Sequence, residues 1–141
     1  RSAFGVAGFV SAAVPEQVRH DERHDVVFVL SLFSHLPRAT WARWLARIWA
    51  MVAPGGVLVF TTHGDAEVRM QGVTLDADGF FFTPSSESNA IDAQEYGTAF
   101  SSEAFVRACI AEHLPDAALR TFSARHFWHH QDAWVLGKPA V

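Results

Sequence analysis

The chain has 141 residues, half of them hydrophobic and 18% charged, which is typical of one globular domain and not of a disordered chain. The formal charge is 11 − 15 = −4 and no basic stripe occurs, so nucleic acid is not expected as a partner. No run approaches the ~20 apolar residues that cross a bilayer, so no membrane association is expected either. The single cysteine, Cys109, cannot form an intrachain disulfide, which suits a reducing cytoplasm.

The first 24 residues carry weak structural signals. Residues 1–13 combine a basic start, an apolar stretch and small residues, as a signal peptide does. Gly5 and Gly8 interrupt that stretch, so secretion is the less favoured interpretation. Residues 12–24 are polar and contain a proline, which indicates a surface loop or a short helical turn.

A strand–helix–strand unit is the strongest pattern in the chain. Residues 25–30, DVVFVL, are almost continuously apolar, as expected for a parallel strand buried on both faces. Residues 31–36 form a short loop at the carboxyl end of that strand, where open α/β sheets place their ligands. Residues 57–62 predict a second buried strand that ends in polar side chains. Such a unit is a right-handed crossover in a parallel sheet.

The helix between these strands is predicted over residues 38–52. Its apolar residues recur at i, i+3, i+4, i+7 and i+11 and form one stripe: Trp41, Trp44, Leu45, Ile48 and Val52. At this spacing the tryptophans are expected in the core and not as a platform for a base or a sugar. Arg38, Arg43 and Arg47 lie largely off the stripe and are expected to face solvent. Pro54 should end the helix, with two glycines turning into the next strand.

The rest of the chain alternates short elements with loops. Residues 83–94 are polar and loop-like, and Glu87 and Asp92 within them are expected to face solvent. Ser101 or Ser102 is a good N-cap for the second long helix. The predicted elements are a helix over 64–71, a strand end over 80–82, a strand over 96–100, a helix over 103–114 whose buried face comprises Phe105, Cys109, Ile110 and His113, and strands over 118–124 and 133–136.

Eight histidines raise the question of a metal site. On a helix, two or three of His126, His129 and His130 could share a face, and Asp132 could add a carboxylate. No cysteine lies near them, and the intervening Phe127 and Trp128 indicate packing. The sequence therefore predicts structural histidines here and no metal ligands.

A family resemblance rests on residues 25–64. The series DVVFVLSLFSHL, a Trp-rich helix and a PGG-led LVFTTHG strand resembles the second half of a class I S-adenosylmethionine (SAM)-dependent methyltransferase. The fourth strand, the following helix and the fifth strand of that family have this order. The resemblance continues through EYGT at 95–98 and HQD at 130–132. The family's glycine-rich loop and the acidic residue ending its second strand are missing from the sequence.

The resemblance implies an α/β fold with a Rossmann-like, doubly wound, mostly parallel sheet that is truncated at its N-terminus. Residues 1–141 would be the C-terminal part of a single methyltransferase domain. Phe4-Gly5 would end a helix, and residues 8–11 would form the family's third strand. In the family's sheet the first and second strands separate the third from the fourth. If both are absent, residues 25–30 become a bare apolar edge that invites pairing with another chain.

The same resemblance implies that the full-length protein transfers a methyl group from SAM to a small-molecule acceptor. Ser31, Leu32 and Phe33 would contact the cofactor, and His35 would face the acceptor as the catalytic residue. A neutral histidine there can take the proton of an acceptor hydroxyl. His63 and Tyr96 would join His35 in binding the substrate. Alone, the 141 residues are expected to be inactive, to bind SAM weakly or not at all, and to need the upstream segment or a second copy for a stable structure.

Other interpretations remain open at this stage. Ser34 and His35 could cap the following helix, and Thr62 could cap the next one, with Gly64 permitting the bend. The chain could be an inactive methyltransferase-like domain with a structural or interaction role. It could also be another Rossmann-like enzyme such as a dehydrogenase, whereas the absence of a G-x-S-x-G motif counts against a hydrolase.

Overall fold

A computed structural model describes Gly5 and residues 7–9, 11–85 and 92–140. Within them a four-stranded sheet has the order β1-β2-β6-β5, and β3 pairs with β4 in a separate ribbon. None of the helices in these residues is both long and apolar enough to span a membrane. The elements are a 3₁₀ turn (Pro15–Gln17), β1 (His24–Val29), α1 (Arg38–Ala50), β2 (Val52–His63), α2 (Asp65–Gln71), β3 (Phe80–Thr83), β4 (Thr98–Ser101), α3 (Glu103–His113), β5 (Ala118–Phe127) and β6 (Gln131–Gly137).

The predicted strand–helix–strand unit is confirmed, and β1 pairs with β2 in parallel. The prediction that Pro54 ends the helix is wrong, because α1 ends at Ala50 and β2 already begins at Val52. The two glycines lie inside β2, where the register against β1 shifts. Gly55 has a φ of +79°, and a side chain at Gly56 would lie 2.8 Å from the Asp25 carbonyl oxygen. The glycines therefore lie in an irregularity of β2: His24 pairs with Val52 but Val26 pairs with Val57, so β2 carries extra residues between these pairs.

The other two pairings of the main sheet are antiparallel. β6 lies between β2 and β5 and pairs with both, and β5 and β6 form a hairpin. His126 therefore lies on β5, and His129 and His130 lie in the hairpin turn. They do not share a helix. Trp128 and His129 both have positive φ values, 52° and 60°, which a tight turn requires and a helix excludes.

Helix α1 packs on the sheet through the predicted stripe, and all five predicted residues are buried, although the last of them, Val52, is the first residue of β2. Arg38 and Arg43 form ion pairs at the surface, as solvent-facing residues do. Arg47 differs from its prediction, because its side chain is only 22% exposed. Its guanidinium donates hydrogen bonds to the carbonyl oxygens of Val18 and His20, both at 2.9 Å.

Helix α3 begins where the sequence predicts, with the Ser102 hydroxyl accepting a hydrogen bond from the Phe105 amide at 3.1 Å. Its buried face agrees with the prediction except at His113, since Phe105 and Cys109 are partly buried and pack against the core. Val106 and Ile110 are buried, whereas His113 is exposed. Leu114, one residue beyond the helix, is buried in the core instead.

The predicted strand over residues 8–11 is not present at Gly8, Phe9 and Ser11, which lie outside any strand. The remaining position, Val10, lies outside the described residues, as do Phe4 and Glu87.

Strand β1 is an edge, with β2 as its one neighbour among the described residues. The prediction that it is buried on both faces is therefore wrong for this part of the chain. Val26, Phe28 and Leu30 are 62%, 53% and 38% exposed. These side chains alternate along one face, and the centroid of the Phe28 ring lies 6.0 Å from that of Phe127. An apolar edge of this kind presents both unpaired backbone groups and apolar area to another chain.

We expect the purified 141-residue chain to self-associate through β1 and the variant Phe28→Lys to favour the monomer, because a lysine at an exposed strand edge opposes pairing. Size-exclusion chromatography with light scattering measures the mass against concentration. Met70→Lys is the matched control, since Met70 is 55% exposed on α2, far from β1 in sequence. A parent protein that stays at 15.6 kDa at every concentration would contradict the expectation.

Candidate site at the carboxyl ends of β1 and β2

The carboxyl ends of β1 and β2 lie at the same edge of the sheet because the two strands are parallel. Ser31 turns the chain out of β1 with a φ of 59°, a left-handed conformation that is uncommon for a residue other than glycine. Its backbone N–H donates a hydrogen bond to the Thr61 hydroxyl at 2.9 Å. The loop after β1 is thus held directly against the end of β2.

A third element contributes to this edge through Gln131, the first residue of β6. Its amide nitrogen donates to the Ser31 hydroxyl at 2.8 Å, and its amide oxygen accepts from the Thr61 hydroxyl at 2.5 Å. The Ser34 hydroxyl lies 3.2 Å from that of Ser31 and donates to the Ser31 carbonyl at the same distance. Thr61 and Ser34 are fully buried, so these hydrogen bonds satisfy groups that water does not reach.

Phe33 joins the loop to the hydrophobic core. Its side chain is 1% exposed, with ring centroids 4.8 Å from Trp41 and 5.1 Å from Phe60. Its carbonyl oxygen accepts a hydrogen bond from the Trp41 indole at 3.2 Å. Leu32 is partly buried and packs against the same core. Of the three residues predicted to contact a cofactor, Ser31 lies in the polar network and Phe33 directs its ring inward.

His35 is held by a backbone carbonyl on the other side of the site. Its Nδ1 lies 2.7 Å from the carbonyl oxygen of Gly97, and the Gly97 N–H donates to the His35 carbonyl at 2.9 Å. A carbonyl oxygen only accepts hydrogen bonds, so Nδ1 carries a proton, and the lone pair of the neutral ring is on Nε2. The Tyr96 ring stacks on the imidazole at 4.7 Å with an interplanar angle of 10°.

The alternative that Ser34 and His35 cap the following helix is wrong. Pro37 occupies the N-cap of α1 and no side chain caps it. The prediction that Tyr96 opens a strand is also wrong, because β4 begins at Thr98. Tyr96 lies in the turn before β4, where stacking on His35 orders it.

His63, the last residue of β2, completes a cluster with His35 and Tyr96. Its ring centroid lies 6.4 Å from that of His35 and 5.3 Å from that of Phe100. Burial lowers the pKa of His63 below its ordinary value, and the nearby Glu67 carboxylate opposes this effect only partly. The Nδ1 atom of His63 is buried and has no hydrogen-bond partner among the described residues. The site therefore offers two histidines, one of them favoured in its neutral form.

A buried carboxylate lies next to this cluster. Glu67 on α2 is 6% exposed and accepts hydrogen bonds from Gln71 Nε2 at 2.9 Å and from His130 Nδ1 at 3.1 Å. Burial alone would raise the pKa of Glu67, but the hydrogen bonds from Gln71 and His130 outweigh it and the pKa lies below its usual range. A sequence pattern does not show this residue, because α2 has only seven residues and too few apolar positions to define its buried face.

The alternative that Thr62 caps the helix after β2 is wrong. Gly64, and not Thr62, is the N-cap of α2, and the Thr62 hydroxyl accepts a hydrogen bond from the Trp134 indole at 3.0 Å. A side chain at Gly64 would collide with the carboxylate of Asp132. That carboxylate accepts the Arg125 N–H at 2.9 Å, and burial raises the pKa of Asp132. Asp132 therefore satisfies a backbone N–H group of β5 across the hairpin.

We expect replacement of His63 by leucine to make the free energy of unfolding less dependent on pH. The unfolded protein binds the His63 proton at about pH 6.5, and the folded protein binds it only at lower pH. Stability from this residue is thus fully present above pH 6.5 and is lost as the pH falls below it. Urea unfolding at several pH values between 7.5 and 5 measures the slope.

His113→Leu, on the exposed side of α3, is the reference for removing one histidine. An identical slope in the parent protein and in His63→Leu would show that burial of His63 does not oppose its protonation.

Comparison with known proteins identifies the fold. No protein-family model and no curated protein sequence matches the chain. Among solved structures, the N-methyltransferase NodS from Bradyrhizobium japonicum WM9 in complex with S-adenosylhomocysteine matches 89% of this chain at 14% identity, with a TM-score of 0.50. The 1,6-didemethyltoxoflavin-N1-methyltransferase of Burkholderia thailandensis matches 89% at 14% identity with a TM-score of 0.58. A SAM-dependent methyltransferase from Clostridium acetobutylicum ATCC 824 matches 99% at 8% identity with a TM-score of 0.61.

At these identities the likeness concerns the fold. The predicted α/β, Rossmann-like fold of SAM-dependent methyltransferases is confirmed. The chain spans about half the length of the first two of these structures, 51% and 48%, and 68% of the third.

Proposed function

We propose that this chain is part of a SAM-dependent methyltransferase that acts on a small molecule. Two observations support the proposal: the fold and the arrangement of His35. The fold is that of methyltransferases, and the structures it resembles include complexes with S-adenosylhomocysteine. The arrangement of His35 is the single feature of the chain's own chemistry that carries it: a carbonyl holds Nδ1–H and leaves the basic Nε2 to accept a proton.

The residues of the site fit this chemistry. SAM supplies a methyl group on a sulfonium, and its transfer is an in-line displacement that depends mainly on alignment. The loop after β1, with Ser31, Leu32 and Phe33, would form the cofactor side. The hydrogen bonds of Ser31 and the buried ring of Phe33 fix that loop, so little ordering remains when a ligand binds.

The acceptor side would be formed by His35, His63 and Tyr96. His35 Nε2 would take the proton of an acceptor hydroxyl, while stacking against Tyr96 holds the plane of its ring. His63 would lie beside an acceptor that His35 binds, since the centroids of the two rings are 6.4 Å apart. The neutral form that burial favours at His63 suits a hydrogen-bonding role without a competing charge.

We expect His35→Asn, in a longer polypeptide that contains this chain and binds SAM, to lower turnover by ~10²–10⁴-fold, the contribution of a general base. Asparagine keeps a donor near the position of Nδ1 for the Gly97 carbonyl and removes the base at Nε2. SAM affinity, measured by calorimetry, should change much less. His126→Asn, at the exposed end of β5, is the control and should retain activity.

The same calorimetry tests whether SAM is the cofactor. We expect the longer polypeptide to bind SAM and this chain alone to bind it weakly or not at all. Absence of SAM binding by the longer polypeptide would refute the function, and unchanged turnover in His35→Asn would refute the role of His35 alone.

A further inference from the structure

A second group of histidines lies at the amino end of β1, away from the candidate site that follows its carboxyl end. His20, Glu22 and His24 each offer one ligand atom, and the three atoms lie within 4.8 Å of one another. The Nε2 atoms of the two histidines are 2.8 Å apart. No other group of three or more potential ligands is this close within the part of the chain that the structure describes.

The backbone that carries these side chains is held in place. Arg47 donates to the carbonyl oxygens of Val18 and His20, both at 2.9 Å, and the His24 N–H donates to the Met51 carbonyl at 2.8 Å. The three residues stand at i, i+2 and i+4, and the fold brings their ligand atoms within 4.8 Å of one another. A ligand therefore meets a group whose main chain is already ordered.

The rings are also ordered by stacking. His20 stacks on His24 at a centroid distance of 5.1 Å with an interplanar angle of 7°, and Phe9 stacks on the other side of His20 at 5.0 Å. Glu22 forms no ion pair with any described residue, whereas its neighbour Asp21 lies 3.7 Å from Arg47. The Glu22 carboxylate is thus available to a cation.

Two imidazoles and one carboxylate are a ligand set that binds Zn²⁺ and leaves a fourth position for water. Tetrahedral ligands ~2.0–2.1 Å from zinc are about 3.3 Å apart. The two Nε2 atoms would therefore separate by about half an ångström, exchanging their mutual hydrogen bond for bonds to the metal. Side-chain rotation at this partly exposed position can supply such a shift.

We propose that His20 Nε2, His24 Nε2 and the Glu22 carboxylate bind one Zn²⁺ ion, with water as the fourth ligand. The ion joins the segment before β1 to the first residue of that strand. The sequence did not predict this site. The histidines with the spacing of a helical metal site are His126, His129 and His130, which lie on β5 and in its hairpin turn. The site does not depend on the proposed methyl transfer.

Isothermal titration of ZnCl₂ into EDTA-treated, dialysed protein tests the proposal. We expect one Zn²⁺ per chain, with affinity lowered at least ~tenfold in His20→Ala, in His24→Ala and in Glu22→Gln, each of which removes one ligand. The double variant His126→Ala/His129→Ala is the matched control, and it should bind like the parent protein. Zn²⁺ should also raise the melting temperature of the parent and the control but not of His20→Ala.

Absence of stoichiometric binding by the parent protein would overturn the proposal. So would binding that survives in His20→Ala and His24→Ala, or that is lost in the control variant, because either result places the ion on other histidines. Circular dichroism of each variant confirms the fold. If His24→Ala unfolds, His20→Ala is compared with the control variant, because His20 lies before the strand. Loss of Zn²⁺ binding in His20→Ala alone supports the site, and retained binding overturns it.

Discussion

The hydrogen bonds among Ser31, Thr61 and Gln131 are the interaction on which the candidate site depends. They join three elements that are distant in sequence: the loop after β1, the end of β2 and the start of β6. Each net contribution is about 1 kcal/mol, but a partner removed from a buried position costs about 1–3 kcal/mol because the remaining group is unsatisfied. The network therefore fixes the loop with more specificity than its net stabilising energy suggests.

The position of His35 follows from this fixed loop. Ser34 accepts the Ala99 N–H at its carbonyl oxygen, and His35 exchanges hydrogen bonds with Gly97, so the loop also holds the start of β4. Phe33 packs between Trp41 and Phe60 on the inner side. One short segment thus connects the core to the edge of the sheet, and its orientation presents His35 beside His63 and Tyr96. Such a segment can position a reacting group without moving when a substrate binds.

The sequence predicted the elements whose hydrophobic pattern is long. The stripe of α1 and the apolar runs of β1 and β2 located the crossover correctly, because burial of one face dictates the period. The prediction that β1 is buried on both faces was wrong, because an apolar run does not show whether a neighbouring strand is present. The prediction that the helix ends at Pro54 was wrong, since Gly55 and Gly56 allow an irregularity within a strand as well as a turn.

The site was predictable only in part. Ser31, His35 and His63 could be placed because they follow strands at their carboxyl ends. The hydrogen bond between Thr61 and Gln131 was not predicted, although a polar residue within an apolar strand signals a buried hydrogen bond. The contact of Glu67 with His130 joins residues 63 positions apart, and that of Gln131 with Ser31 spans 100. Contacts of this kind arise from the order of strands and not from any local pattern.

The tautomer of His35 is the most direct test of how the site is built. A long-range ¹H–¹⁵N correlation spectrum of the histidine rings, recorded at pH 8, distinguishes a protonated ring nitrogen from one that carries a lone pair. The hydrogen bond to the Gly97 carbonyl predicts protonation at Nδ1 and a lone pair at Nε2. Protonation at Nε2 would mean that the carbonyl does not hold the ring, and it would leave no base facing an acceptor.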